Sequence, residues 1–170
     1  MSATVFVDTN VFVYARDAAE PNKQPAAAAW IRELWVEQRG RTSIQVLTEF
    51  YATVTRTLDP GLNPDEAWDD VHALFAWNPQ PVDRSVLGLA RRIERRYRLS
   101  WWDALIVAAA ELQSCAVLLT EDLQHGATYG SVRVRNPFVT GIAEPEVLYA
   151  APKPVSRHRA RGRPRRVVTE

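Results

Sequence analysis

Four carboxylates stand where this chain could do chemistry: Asp8, Glu49, Asp103 and Asp122. Asp8 closes the run Val5-Phe6-Val7, and Asp122 follows Val117-Leu118-Leu119-Thr120-Glu121. Two short apolar runs of this kind read as buried parallel strands. They would deliver both acids to one C-terminal sheet edge, where open α/β sheets bind ligands. Asp103 is the only charged side chain between Ser100 and Ala110, amid Trp101, Trp102, Leu105, Ile106 and Val107. An uncompensated carboxylate in such surroundings costs several kcal/mol, so it needs a cation, donors or a raised pKa. Glu49 sits roughly 60° outside the apolar stripe of its helix, as a residue lining a cleft would.

Each acid also has a plainer role. Asp8 can cap a helix, Asp103 can complete the cap begun by Ser100, and Glu49 can be a solvated helix residue. Asp122 can be a turn aspartate, with Glu121 serving in its place. Taken together, three or four carboxylates in one small volume cannot all ionise unless a divalent cation offsets them. An all-oxygen set without paired histidines or cysteines favours Mg²⁺ or Mn²⁺ over zinc. Ions clamped by acids activate water and stabilise in-line phosphoryl transfer.

The elements that would position these acids alternate along the chain. After the Asp8 turn comes a short helix through Val11, Phe12, Tyr14 and Ala15, then a loop at Glu20 to Pro25. Ala26 to Arg39 has helical spacing (Ala27, Trp30, Ile31, Leu34, Trp35) and stops at Gly40. Arg41 to Ile44 reads as a short strand and Gln45 to Leu58 as a helix. Asn63-Pro64 opens a helix running to Trp77. Gln80 to Asp83 reads as a brief strand. Arg84 to Arg98 is a helix with Val86, Leu87, Leu89, Ala90, Ile93 and Tyr97 on the core side and Arg91, Arg92, Arg95 and Arg96 on the other. Ser100 caps a helix from Trp101 to Gln113, in which Trp102 is expected in the core and Trp101 exposed. Val117 to Leu119 and Ser131 to Arg135 complete the strands. The alternation predicts a mostly parallel sheet covered on both faces.

Composition narrows the setting. The chain of 170 residues can bury a core as one domain. Its single cysteine, Cys115, permits no internal disulfide and reads as a small core residue, which fits a reducing cytoplasm. No signal-peptide pattern follows Met1, and the apolar stretch from Trp101 to Leu119 carries Asp103 and Glu111, so no membrane span is expected. Charge is distributed unevenly. Residues 151–170 hold seven basic side chains against Glu170 alone, leaving 14 basic and 19 acidic ones in residues 1–150. An acidic body with a basic tail points to a polyanionic partner. The division expected is a folded domain over 1–150 and a Pro/Arg-rich tail over 151–170 that is disordered unless bound.

The segments Val-Phe-Val-Asp8-Thr9-Asn10, Glu49, Trp102-Asp103-Ala104-Leu105-Ile106 and Leu-Leu-Thr120-Glu121-Asp122-Leu123 resemble, in order and spacing, the four acidic motifs of PIN-domain ribonucleases. Within these, the chain looks most like the VapC-like toxins of type II toxin–antitoxin systems, over residues 3–140. The resemblance implies a three-layer α/β/α sandwich on a mostly parallel sheet. It implies a Mg²⁺ or Mn²⁺ site built from Asp8, Glu49, Asp103 and Asp122, with Asn10 and Thr120 orienting carboxylates or water. It further implies endonucleolytic cleavage of RNA in the cytoplasm, a homodimer, and inhibition by a cognate antitoxin.

The tail departs from the compact members of that family. Arg161-Gly162-Arg163-Pro164 also resembles the core of an AT-hook, although phosphate attraction explains an arginine-rich run equally well. Candidate nucleic-acid contacts are therefore Arg91 and Arg95 on the helix, and Arg161 and Arg163 in the tail, for RNA or DNA. His125, in a Gly-containing turn, reads as structural. The competing functional readings are a non-catalytic nucleic-acid-binding module in which the tail binds and the acids are caps, and a housekeeping RNase of the same fold. A phosphatase-like hydrolase fits less well, because Asn10 stands where a second aspartate would be needed.

Overall fold

The computed structural model describes residues 3–139; the basic tail, with Arg161 and Arg163, lies outside the described residues. The chain runs β1 (Val5–Val7), α1 (Thr9–Arg16), α2 (Gln24–Val36), β2 (Gly40–Arg41), α3 (Ile44–Arg56), α4 (Pro64–Leu74) with a 3-10 turn (Phe75–Trp77), α5 (Arg84–Tyr97), α6 (Trp101–Leu112), β3 (Val117–Leu119), β4 (Thr128–Tyr129) and β5 (Val132–Arg135). The five strands form one sheet in the order β2-β1-β3-β5-β4, parallel except for β4, which pairs antiparallel with β5. This is the α/β sandwich with a mostly parallel sheet that the alternation predicted.

β1 and β3 are buried along their whole length. That is why they read as unbroken apolar runs: a parallel strand covered on both faces has no solvent side to carry polar residues. Around the sheet, α1 lies against both α2 and α3, α3 packs on α4, and α5 pairs with α6. Helix α6 is buried continuously from Ala104 to Ala110 and serves as the central helix of the core. Gly40 lets β2 pass the Trp77 ring, since a Cβ there would lie 2.5 Å from that indole. No helix among the described residues is long and apolar enough to cross a membrane.

Several local expectations need correction. The strand expected at Arg41 to Ile44 is only Gly40–Arg41; Ser43 instead caps α3, its Oγ accepting from the Val46 N–H at 3.3 Å. The strand expected at Gln80 to Asp83 is a single bridge between Gln80 and Ser43, because prolines on both sides of Gln80 remove ladder donors. The hairpin strand β4 was not anticipated; Gly130, at φ +60°, makes the turn from it into β5. Leu87 is 43% exposed rather than facing the core. The two tryptophans opening α6 are exchanged: Trp101 packs against the core, whereas Trp102 is 64% exposed. Neighbours on a helix point about 100° apart, so the packing of α5 decides which of the two is covered.

Candidate active site at the sheet edge

The register of β1 and β3 builds the centre of the site. Val7 pairs with Leu119, so the residues that follow, Asp8 and Thr120, leave the sheet side by side. Asp8 donates its backbone N–H to the Leu119 carbonyl at 3.1 Å. Its side chain turns back as the N-cap of α1, Oδ1 accepting from the Thr9 N–H at 2.7 Å. Oδ2 accepts from the buried Thr120 hydroxyl at 2.7 Å. Cap and site residue are thus one and the same group.

Asn10 ties this pair to Asp122. Its Nδ2 lies 3.0 Å from Thr120 Oγ1, 3.0 Å from Asp122 Oδ2 and 3.4 Å from Asp8 Oδ2. Thr120 Oγ1 also accepts from the Asp122 N–H at 3.1 Å, which orients the turn after β3. Glu49 enters from α3: Oε2 accepts from the Thr9 hydroxyl at 3.0 Å and Oε1 from Gln45 Nε2 at 2.9 Å. Neither Thr9 nor Gln45 was anticipated from the sequence. Gln45 was visible there, since it precedes Glu49 by four residues and such helix pairs face each other.

Burial pushes the Asp8 carboxyl up from its ordinary 3.8 to about 7. The Thr120 hydroxyl and the Thr9 N–H pull the other way, and the charges of Asp122 and Glu49 add to the rise. The structure therefore groups Asp8, Asp122 and Glu49. Asp103 is not among the acids whose charges act on Asp8, and its own hydrogen bonds go to Ser100. It lies in the first turn of α6, half-buried, where Ser100 Oγ accepts from its N–H at 3.1 Å and donates to its Oδ2 at 2.6 Å. The deeply buried acid is Asp8, 8% exposed, whereas Asp103 is half-buried.

Glu121 belongs to a different network. It accepts from Lys23 Nζ at 2.7 Å and from the Tyr14 hydroxyl at 2.5 Å, while Lys23 lies over the Tyr14 ring, 4.2 Å from its centroid. The hydrogen bond to Glu121 raises the pKa of both the Tyr14 hydroxyl and the Lys23 ammonium. Of the two acids after β3, only Asp122 bonds to Asn10. His125 accepts from the Asn136 N–H through Nδ1 at 3.0 Å, the structural role expected of it.

The donor chemistry fits a hard divalent cation. Every side-chain group facing the site offers oxygen or an orienting N–H, and the buried Asn10 Oδ1 has no hydrogen-bond partner among the described residues. Among the described residues no group of three or more His, Cys, Asp or Glu side chains is placed so that it could hold a metal ion. Mg²⁺ suits such an open arrangement, because it keeps several waters and binds through one or two carboxylates.

Comparison with known proteins agrees with this architecture. The model of the PIN domain family matches residues 5–130. Among solved structures, the chain is similar in fold to VapC20 of Mycobacterium tuberculosis, a toxin that cleaves the sarcin–ricin loop. The TM-score is 0.52 at 18% identity, over 70% of this chain and 90% of that one. No curated protein matches the sequence significantly. The family match spans the acid-bearing strand ends and four of the five strands, β1 to β4, and on that ground this chain belongs to the PIN-domain family.

Proposed function

We propose that this protein is a Mg²⁺- or Mn²⁺-dependent endoribonuclease acting as the toxin of a toxin–antitoxin pair in the cytoplasm. The observation that carries the reading is Asp8: a buried carboxylate with two further acids in its field, joined to Asp122 through one asparagine amide. Burial and the neighbouring charges work against its ionisation, and a cation beside it would favour the charged form. Asp8 and Asp122 are the residues that would hold it, with Glu49 and Asp103 completing the acidic wall. The cation, when bound, supplies activation of water and stabilisation of the developing phosphate charge.

The residues of the chain do the rest. Thr120 and Thr9 fix the Asp8 carboxylate from both sides. Asn10 holds Asp122 at a set distance from it, and Gln45 with Thr9 restrains Glu49. Asp103, anchored to Ser100 at a helix start, keeps one carboxylate oxygen free of that bond to accept from a water. The RNA-cleaving toxin with a similar fold supports RNA as substrate and an antitoxin as partner, and a homodimer is part of the same reading.

The test is a labelled RNA incubated with the protein, with and without Mg²⁺ or Mn²⁺, beside Asp8→Asn and Asp103→Asn. Metal-dependent cleavage, abolished by both substitutions with the fold intact, is expected. Equal cleavage by the variants, or none under any metal, would overturn it. Co-purification with the product of an adjacent small gene tests the toxin assignment.

A further inference from the structure

We propose that the arginine face of α5 and the indole of Trp102 form one docking surface for single-stranded RNA, guiding it to the acids at the sheet edge. The proposal rests on the RNA-cleaving reading and specifies how that substrate is held. Six of the 14 basic side chains in residues 1–150 fall between Arg84 and Arg98, on a body that is otherwise acidic. Arg91, Arg92, Arg95 and Arg96 are all exposed and border one surface hollow. Arg91 pairs with Glu94 at 2.5 Å and Arg96 lies over the Tyr97 ring; Arg92 and Arg95 have no acidic partner among the described residues.

A solvated helix face ordinarily mixes signs, because like charges at i and i+4 repel. Here Arg91 and Arg95, and Arg92 and Arg96, are two such like-charged pairs side by side. That arrangement stores repulsion which a phosphate backbone relieves, and the i,i+4 step is comparable to the spacing of successive phosphates on one strand. Arginine also grips phosphate with two donors at once.

The surface leads towards the acids. Helix α6 ends at Leu112 and a short turn feeds β3, so the start of α6 lies at the end of the sheet where β3 finishes. Helix α5 packs against α6, and Arg98, at φ +56°, reverses the chain between them. The arginines in the last two turns of α5 are therefore at the same end of the molecule as Asp8 and Asp122. In the first turn of α6, at this same end, Trp102 is 64% exposed and one residue before Asp103. Among the described residues it has neither an aromatic nor a cationic partner for its ring. A largely exposed indole at the same end as a basic track suits stacking of an unpaired base.

The experiment measures binding of the full chain to a fluorescent single-stranded RNA 12-mer (length about that of one such site) in EDTA, over a salt series. Without metal no turnover occurs, so a failure here is separable from a failure of the cleavage reading. The triple variant Arg92→Gln/Arg95→Gln/Arg96→Gln should reduce the slope of log K against log salt by about 2, from about 0.7 per lost phosphate contact. Trp102→Ala should weaken binding about tenfold with the slope unchanged, and Trp102→Phe should restore most of it. A polyglutamate peptide of equal charge should bind more weakly than the RNA and be indifferent to Trp102→Ala. An unchanged slope in the triple variant, wild-type affinity in Trp102→Ala, or polyglutamate binding as tightly as the RNA would each overturn the proposal.

Discussion

Replacing Asp8 by asparagine should stabilise the metal-free protein at alkaline pH while destroying its function. The Asp8 carboxyl titrates at about 7 in the folded chain against an ordinary 3.8. The folded state therefore binds the extra proton between those values. Its stability from this group is full below about pH 4, declines as pH rises, and is gone above about pH 7. At about 1.4 kcal/mol per pH unit, the loss is on the order of 4 kcal/mol. Asparagine has no charge to desolvate, but its amide turns an N–H towards either the Thr9 N–H or the Thr120 hydroxyl, costing about 1–2 kcal/mol. The expected balance for Asp8→Asn is a gain of about 2 kcal/mol at pH 8 and a loss of about 1–2 kcal/mol at pH 4. Urea denaturation in EDTA, followed by tryptophan fluorescence at both pH values, reads the difference directly. Adding Mg²⁺ at pH 8 should stabilise the wild type and leave Asp8→Asn unmoved, since a ligand stabilises only the state that binds it. Parallel pH profiles for the two proteins would refute the argument that burial at this strand end creates the demand for a cation.

Two further outcomes test other parts of the molecule. Gly40→Ala places a methyl carbon against the Trp77 ring, which is itself held by Phe12 and Trp35. Overpacking of this kind should cost about 2 kcal/mol, lowering Tm by roughly 6 °C in a chain of this size; an unchanged Tm in a thermal melt would contradict the close approach of β2. Deleting residues 152–170 should weaken nucleic-acid binding and flatten its salt dependence without altering the pH and Mg²⁺ response of stability; an unchanged slope would remove the tail from any binding role.

Much of the sheet edge was legible in the sequence because its logic is local. Val5-Phe6-Val7 and Val117-Leu118-Leu119 announce strands buried on both faces, and parallel pairing then forces Asp8 and Thr120 together. Asp122 follows at the next turn, within reach of Asn10. What could not be read depends on distant packing. Which of Trp101 and Trp102 is covered, and whether Ile44 ends a strand or begins a helix, are settled by neighbours far away in the chain. Asp103 illustrates the same point: apolar neighbours in sequence suggested deep burial, yet the first turn of a helix leaves its carboxylate half in solvent beside Ser100. The desolvated acid is Asp8, whose chain neighbours look no more apolar than those of Asp103.

The two borders of the sheet carry a consequence for association. β2 and β4, the outermost strands, are two residues long each, and β4 runs against its neighbour. An edge that short exposes too few unpaired amide and carbonyl groups to template an added strand. Among the described residues neither edge offers the route by which β-rich molecules zip onto one another. Among the described residues, a companion would therefore meet side chains of helices and loops rather than a bare strand edge, and side-chain shape would select who may bind.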